Sequence, residues 1–200
     1  MYCILVTGIP AAGKSTMASW IGRELNIPVI SKDSIKEIMF DDVGFQSREE
    51  KVKLGVASMN IMYYMAEQFM KCKQTFILEN NFENISRDGL LEILDKYSYT
   101  AITLTLTGDC EKIYRRFVER NESPERHRGH VVNDCYPEKE PRQPVKTIAF
   151  ENLVNGIKKR GMDSFVANGP QIVVDTTDFM KVNYEKILQE IRTYIEEIIN

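Results

Sequence analysis

The chain has 200 residues, 43% of them apolar and 28% charged, which suits one ordinary domain with a sizeable core and excludes a disordered or membrane-embedded chain. With 26 basic against 29 acidic side chains the formal net charge is −3, which argues against bulk attraction to nucleic acid while leaving room for a local basic groove. Cys3, Cys72, Cys110 and Cys135 are widely spaced with no Cys-x-x-Cys pair, a pattern of reduced thiols rather than a disulfide or zinc framework. The first residues lack the basic flank and long apolar run of a signal peptide, and no run of about 18 apolar residues occurs. A soluble, cytoplasmic protein is the expectation.

In chain order, residues 2–7 form a short apolar run expected of a strand buried on both faces of a parallel sheet. A helical segment follows at 15–25, then a second strand at 28–31 and a helix at 34–40. Residues 47–73 form a long helical stretch rich in Met and Tyr, whose apolar stripe (Met59, Met62, Tyr63, Met65, Phe69) reads as core packing. A third strand at 75–79 precedes a helix at 86–96, and a fourth at 101–106 precedes a helix at 109–120. Residues 122–146 carry four prolines (Pro124, Pro137, Pro141, Pro144) and many charges, so an irregular segment is expected there. A fifth strand at 172–175 and a helix at 182–199 close the chain. Five strands alternating with helices predict an α/β fold, a three-layer arrangement around a five-stranded parallel sheet. No repeat or low-complexity tract divides it, so residues 1–200 read as one domain.

Gly8-Ile9-Pro10-Ala11-Ala12-Gly13-Lys14-Ser15 is a complete G-x-x-x-x-G-K-S phosphate loop, set between the first strand and the first helix. Gly8 and Gly13 allow backbone angles that a side chain would forbid, so successive N–H groups can converge on phosphate oxygens. The new helix directs its positive end at the same place. Lys14 is placed to bridge the β- and γ-phosphates of ATP, the Ser15 hydroxyl to ligate Mg2+, and Thr16 to bond the α-phosphate.

The second strand ends in Ser31-Lys32-Asp33-Ser34. At the carboxyl end of a parallel strand a side chain faces the ligand crevice. Asp33 could there take the proton of an acceptor hydroxyl or hold a magnesium-bound water, while Ser34 with Glu37 forms a plausible capping box. After the fourth strand, Arg116 and Arg120 lie four apart and share a helix face, with Arg115 pointing elsewhere. The guanidinium fork suits phosphate oxygens and can stack on a base. Asp175-Thr176-Thr177 follows the fifth strand, where the backbone can border a base or simply turn into the last helix.

The phosphate loop, Ser31-Lys32-Asp33 and the later Arg126-His127-Arg128-Gly129-His130 together resemble the zeta-toxin-like and "predicted kinase" branch of P-loop kinases. Wider relatives of that branch include shikimate kinase, gluconate kinase, chloramphenicol phosphotransferase and the polynucleotide 5′-hydroxyl kinase domain. The resemblance implies a central P-loop strand and a mobile lid, here about 122–146. It implies that Glu79, in Glu79-Asn80-Asn81-Phe82, makes a magnesium-water or substrate contact, with Asn80 where the family often has glycine. Asn80 would tolerate a positive φ there. It further implies that Arg116 lies against adenine or phosphate and that Arg120 contacts phosphates. Arg126 is the candidate lid arginine for stabilising charge on the transferring group, and the place of Thr176 suggests that its backbone borders the adenine. Arg128 stands where relatives commonly have proline, and His127 with His130 makes only a weak zinc pattern.

The expected function is an ATP- and Mg2+-dependent kinase acting on a hydroxyl of a small molecule. A polynucleotide or nucleotide kinase would need a basic groove, and a regulatory ATPase would need no acceptor. No Asn-Lys-x-Asp sequence of the guanine-reading type occurs.

Overall fold

In a computed structural model, which describes residues 1–142 and 144–200, the strands are β1 (Tyr2–Gly8), β2 (Val29–Ser31), β3 (Ile77–Glu79), β4 (Thr100–Thr107) and β5 (Gln171–Asp175). They form one parallel sheet in the order β2-β3-β1-β4-β5, so the P-loop strand is central, as expected. Gln143, within the expected lid segment, lies outside the described residues.

The helices are α1 (Lys14–Leu25), α2 (Lys32–Asp42), α3 (Arg48–Lys71), α4 (Asn84–Lys96), α5 (Cys110–Glu122), α6 (Arg128–Val131), α7 (Phe150–Arg160) and α8 (Tyr184–Ile199). β1 shows why the molecule has three layers. Its side chains alternate between faces, a consequence of the two-residue period of a strand. Ile4 and Val6 pack with Met17 and Ile21 of α1, Leu153 and Ile157 of α7 and Ile191 of α8. Cys3 and Leu5 pack on the other face with Met62, Ala66 and Met70 of α3 and Leu90 and Leu94 of α4. Within the Met/Tyr stripe Met62 is fully buried, and Met59, Tyr63 and Phe69 pack against that second core. Met65 stays exposed.

Three local features differ from the sequence reading. α2 begins two residues earlier than expected, and its N-cap is Ser31, whose hydroxyl accepts from the Ser34 N–H at 3.4 Å. The Ser34–Glu37 capping box is therefore not what starts this helix, and Asp33 lies inside the first turn. The turn after β3 takes its positive φ at Phe82 (φ 36) and not at Asn80. The buried Phe82 ring stacks on Phe165 at 5.2 Å, a contact that compensates a backbone conformation disfavoured for a bulky residue.

The third is α7, which the sequence reading left unassigned. Its apolar residues Phe150, Leu153 and Ile157 follow helical spacing, and Gly161 (φ 68) ends it in the left-handed conformation. The signal was in the sequence, masked by the neighbouring prolines. Among the described residues no helix is long and apolar enough to cross a membrane.

Candidate active site

The sheet register brings the chemistry together. Glu79 sits opposite Val6 of β1 and Ser31 of β2, so the carboxyl ends of three strands meet beside the phosphate loop. The loop itself is held by close backbone packing. A Cβ on Gly8 (φ 121) would lie 2.0 Å from the Leu106 carbonyl oxygen, so only glycine lets β1 end against β4 in this way. Ile9 N–H donates to that same carbonyl at 3.1 Å. Gly13 (φ 85) is the N-cap of α1, and a Cβ there would come within 2.9 Å of the Phe179 ring.

These elements wall a polar cleft of about 850 Å3. Pro10, Ala11, Gly13, Lys14, Ser15, Thr16, Asp33, Glu79, Arg116, Arg120 and Arg126 all line it, as do Lys36, Glu37, His130 and Arg160, to which the sequence reading gave no site role. Ile9 and Ala12 are buried beneath the loop.

The Lys14 ammonium donates to the Ile9 carbonyl at 2.8 Å. Burial is the main influence that lowers its pKa, to about 8, with Arg120 and Arg126 adding to it and Glu79 and Asp33 opposing it. Glu79 is buried at 4% exposure. Its Oε2 accepts from the Ser31 hydroxyl at 2.6 Å. Burial raises the Glu79 pKa above the usual carboxylate value, reinforced by nearby Asp33 and opposed by Ser31, Lys14 and Ser15.

Asp33 behaves in the opposite way. Crowding in the cleft opposes its ionisation, yet His130, Lys32, Arg126 and Lys36 outweigh this and hold its pKa below the usual value. The two carboxylates are thus pushed apart in basicity by their surroundings, Asp33 firmly ionised and Glu79 reluctant.

On the α5 side, the Arg116 fork donates to the carbonyls of Thr176 and Thr177, both at 2.6 Å. The flat of the same guanidinium lies 3.9 Å from the centre of the Phe179 ring. Thr176 is almost fully buried, its hydroxyl donating to the Thr107 carbonyl at 2.9 Å. With Ala12, Gly13, Thr16, Phe179, Val182 and Tyr184 it lines a second, smaller cavity of about 250 Å3 beside the loop. Arg115 is exposed, as its helix position predicts. Among the described residues Arg120 and Arg126 each bury an Nε–H with no partner, an orphaned donor that an anion or water in the cleft could satisfy.

The segment after α5 docks on α2 at several points. His130 Nε2 meets Glu37 Oε1 at 2.7 Å, and His127 Nε2 meets Asp41 Oδ1 at 3.0 Å. The His130 bond holds Glu37 ionised. A carboxylate can only accept, so the Nε2 of His130 carries the proton. Burial pulls the His130 pKa below the ordinary imidazole value despite Glu37 and Asp33. Arg128 forms a bidentate pair with Glu138, both contacts 2.6 Å. The buried Lys51 of α3 donates to the carbonyls of His130 and Val132 and to Asn133. Phe45 and Tyr136 pair as an isolated antiparallel bridge, and Gly129 leaves room only for the Phe40 ring, which an added Cβ would meet at 2.3 Å. The histidines therefore serve carboxylates of α2.

The donor set fits a magnesium nucleotide. Orphaned arginine donors face the cleft, Ser15 and Ser31 surround a buried carboxylate, and a second carboxylate stands close by. Mg2+ favours one or two carboxylates, a hydroxyl and phosphate oxygens, with water completing its shell.

Residues 3–138 match the AAA_33 family, described as an AAA domain. The chain is also similar to several solved structures. A protein of Chloroflexus aurantiacus, provisionally assigned as a kinase, is 25% identical with a TM-score of 0.79, over 96% of this chain and 97% of that one. A sugar kinase from Janibacter is 14% identical with a TM-score of 0.58, over 98% and 95% of the two chains. A shikimate kinase from Bacteroides thetaiotaomicron is 15% identical with a TM-score of 0.54, over 98% of each chain. The last two share the fold.

Proposed function

The chain belongs to the AAA_33 family of AAA domains, and we propose that it is an ATP-dependent phosphotransferase acting on a hydroxyl group of a small molecule. The observation that carries this reading is the meeting of Lys14, Ser15, Asp33 and Glu79 at three adjacent strand ends, opposite two arginines with orphaned donors. A regulatory nucleotide sensor has no need of a second, ionised carboxylate beyond the phosphate loop.

The phosphates would lie on the backbone N–H groups of Gly8–Thr16 and the Lys14 ammonium. The base would occupy the smaller cavity beside Thr176 and Phe179. Ser15, with Glu79 and Asp33 through water, would hold Mg2+, which when bound would offset charge on the phosphates. The acceptor oxygen attacks the γ-phosphorus as the bond to the bridging oxygen of ADP breaks, and the hydroxyl proton passes to Asp33. Arg120 and Arg126 lose nothing by meeting the equatorial oxygens, because their Nε–H groups are already desolvated. That preorganisation favours the transition state over bulk water.

The test is magnesium-dependent ADP release from ATP across sugars, nucleosides, aminoglycosides and 5′-hydroxyl oligonucleotides, with Lys14→Ala as the inactive control. Release with one acceptor class, absent in the variant, supports the reading. Slow release indifferent to every acceptor overturns it in favour of a regulatory ATPase.

A further inference from the structure

The acceptor half of the cleft contains a cation that makes no hydrogen bond or ion pair among the described residues. Lys36 lies three residues after Asp33 on α2, and both line the cleft. Its ammonium sits 5.2 Å from the centre of the Phe40 ring, and its far end packs 3.6 Å from where a Cβ on Gly55 of α3 would lie. The side chain is thus held between an aromatic face and a glycine gap. Among the described residues, Lys36 has no hydrogen bond or ion pair.

Apart from Asp33, which the reacting hydroxyl would occupy, the carboxylates around it are taken. Glu37 serves His130 at 2.7 Å and Arg126 at 4.0 Å, and Asp41 serves His127 at 3.0 Å and Tyr136 at 2.9 Å. Lys51, the neighbouring cation of α3, is used up on carbonyls of His130 and Val132. Burial, the charges of Lys32, Arg48 and Arg126, and only Asp33 in opposition lower the Lys36 pKa to about 8. A half-buried ammonium with only the field of Asp33 to offset it is costly, and it becomes favourable when a ligand brings a counter-charge.

We propose that Lys36 is the anion subsite of the acceptor pocket, so that the acceptor carries a carboxylate or a phosphate besides the hydroxyl it offers. This rests on the phosphotransferase reading, with Asp33 at the reacting hydroxyl. Three residues along a helix rise by about 5 Å, so hydroxyl and anion belong to one compact molecule. A neutral sugar would leave the ammonium unpaired, and a neutral nucleoside would do the same.

Two measurements test this. In the first, acceptors are offered as matched pairs: an aldonate and its alditol, a hydroxyamino acid and its amide, a phosphorylated sugar and the free sugar. The acidic member of one pair should be preferred at least about tenfold in kcat/KM, the scale of one charge-assisted contact. Lys36→Met should collapse that preference mainly through KM, and Lys36→Arg should restore part of it. Which acidic pair responds separates carboxylate from phosphate. Equal use of neutral and acidic members, or a preference that survives Lys36→Met, overturns the subsite.

The second measurement does not depend on phosphoryl transfer. With the phosphate loop saturated by magnesium and a non-hydrolysable ATP analogue, sulfate is titrated calorimetrically at constant ionic strength. Saturable binding in the native chain, lost in Lys36→Met and kept in Lys36→Arg, supports the subsite. Absence of binding, or binding indifferent to residue 36, overturns it. If sulfate binds as expected but no acceptor in any assay releases ADP, the subsite stands and the kinase reading falls.

Discussion

The Ser31 hydroxyl donates a 2.6 Å hydrogen bond to Oε2 of Glu79, 48 residues further along the chain. The same hydroxyl caps α2 by accepting from Ser34 N–H. One side chain therefore ties the start of the helix that carries Asp33 and Lys36 to the buried carboxylate beside the phosphate loop. The positions of Asp33 and of Glu79 in the cleft are thus set by a shared residue.

Glu79→Gln should separate stability from activity. Burial raises the Glu79 pKa in the folded chain, so its contribution to stability is full below about pH 4.5, the unfolded value, and is lost as pH rises through the raised one. At pH 7.5 the variant should therefore melt higher than the native chain, by roughly 2–4 °C for each kcal/mol relieved, and the gain should vanish near pH 4. Magnesium-dependent turnover should fall in the same variant. Thermal melts at the two pH values with parallel ADP-release assays read both effects.

Asp33→Asn should remove the proposed proton acceptor and little else, because Asp33 is not the cap of its helix. Transfer should drop by at least about 10²-fold with the affinity for an ATP analogue within a factor of a few. Unchanged transfer in a steady-state assay would return Asp33 to a purely electrostatic role in α2.

Arg126→Ala should lower kcat more than it weakens binding of the ATP analogue. Among the described residues its buried Nε–H has no partner and its one ion-pair contact is a 4.0 Å approach to Glu37. The strongest use left for it is charge that develops in transfer. Equal losses in kcat and in analogue affinity would assign it to ground-state phosphate binding.

Lys51→Met should loosen the segment that docks on α2. The change strands carbonyls of His130 and Val132 and leaves the Asn133 amide oxygen only its 3.3 Å bond from Arg48. A cost of about 1–3 kcal/mol is expected from the unmade bonds. Limited proteolysis should show faster cleavage between Arg126 and Arg142 than in the native chain. An unaltered cleavage rate would place the docking energy in the Phe40–Gly129 and Phe45–Tyr136 contacts instead.

Some of this was legible from local spacing. The phosphate loop is a contiguous pattern whose glycines answer to backbone angles within eight residues, and each strand and helix around it obeys a period of two or about 3.6. The Arg116–Arg120 pair and Asp33 could be placed because helix faces and strand ends follow from neighbours in sequence. α7 was equally legible in Phe150, Leu153, Ile157 and Gly161, and was overlooked beside a proline-rich stretch.

The partners of those residues were another matter. Helical spacing could put Arg116 on one face of its helix with Arg120, but that its fork holds Thr176 and Thr177, about 60 residues away, depends on how β5 pairs with β4. The bonds of His130 with Glu37 and of Lys51 with the segment from His130 to Asn133 cross 93 and about 80 residues.

By itself the sequence determined the phosphate loop, the parallel sheet and the residue types available for phosphate chemistry, since these follow from short-range sterics and periodicity. Only the tertiary structure decided which carboxylate is raised and which depressed, which arginines keep an orphaned donor, and which lysine makes no hydrogen bond or ion pair among the described residues. Those properties are differences in burial and in Coulomb fields between groups far apart in the chain, and they exist only once the sheet register has brought them within a few ångströms of one another.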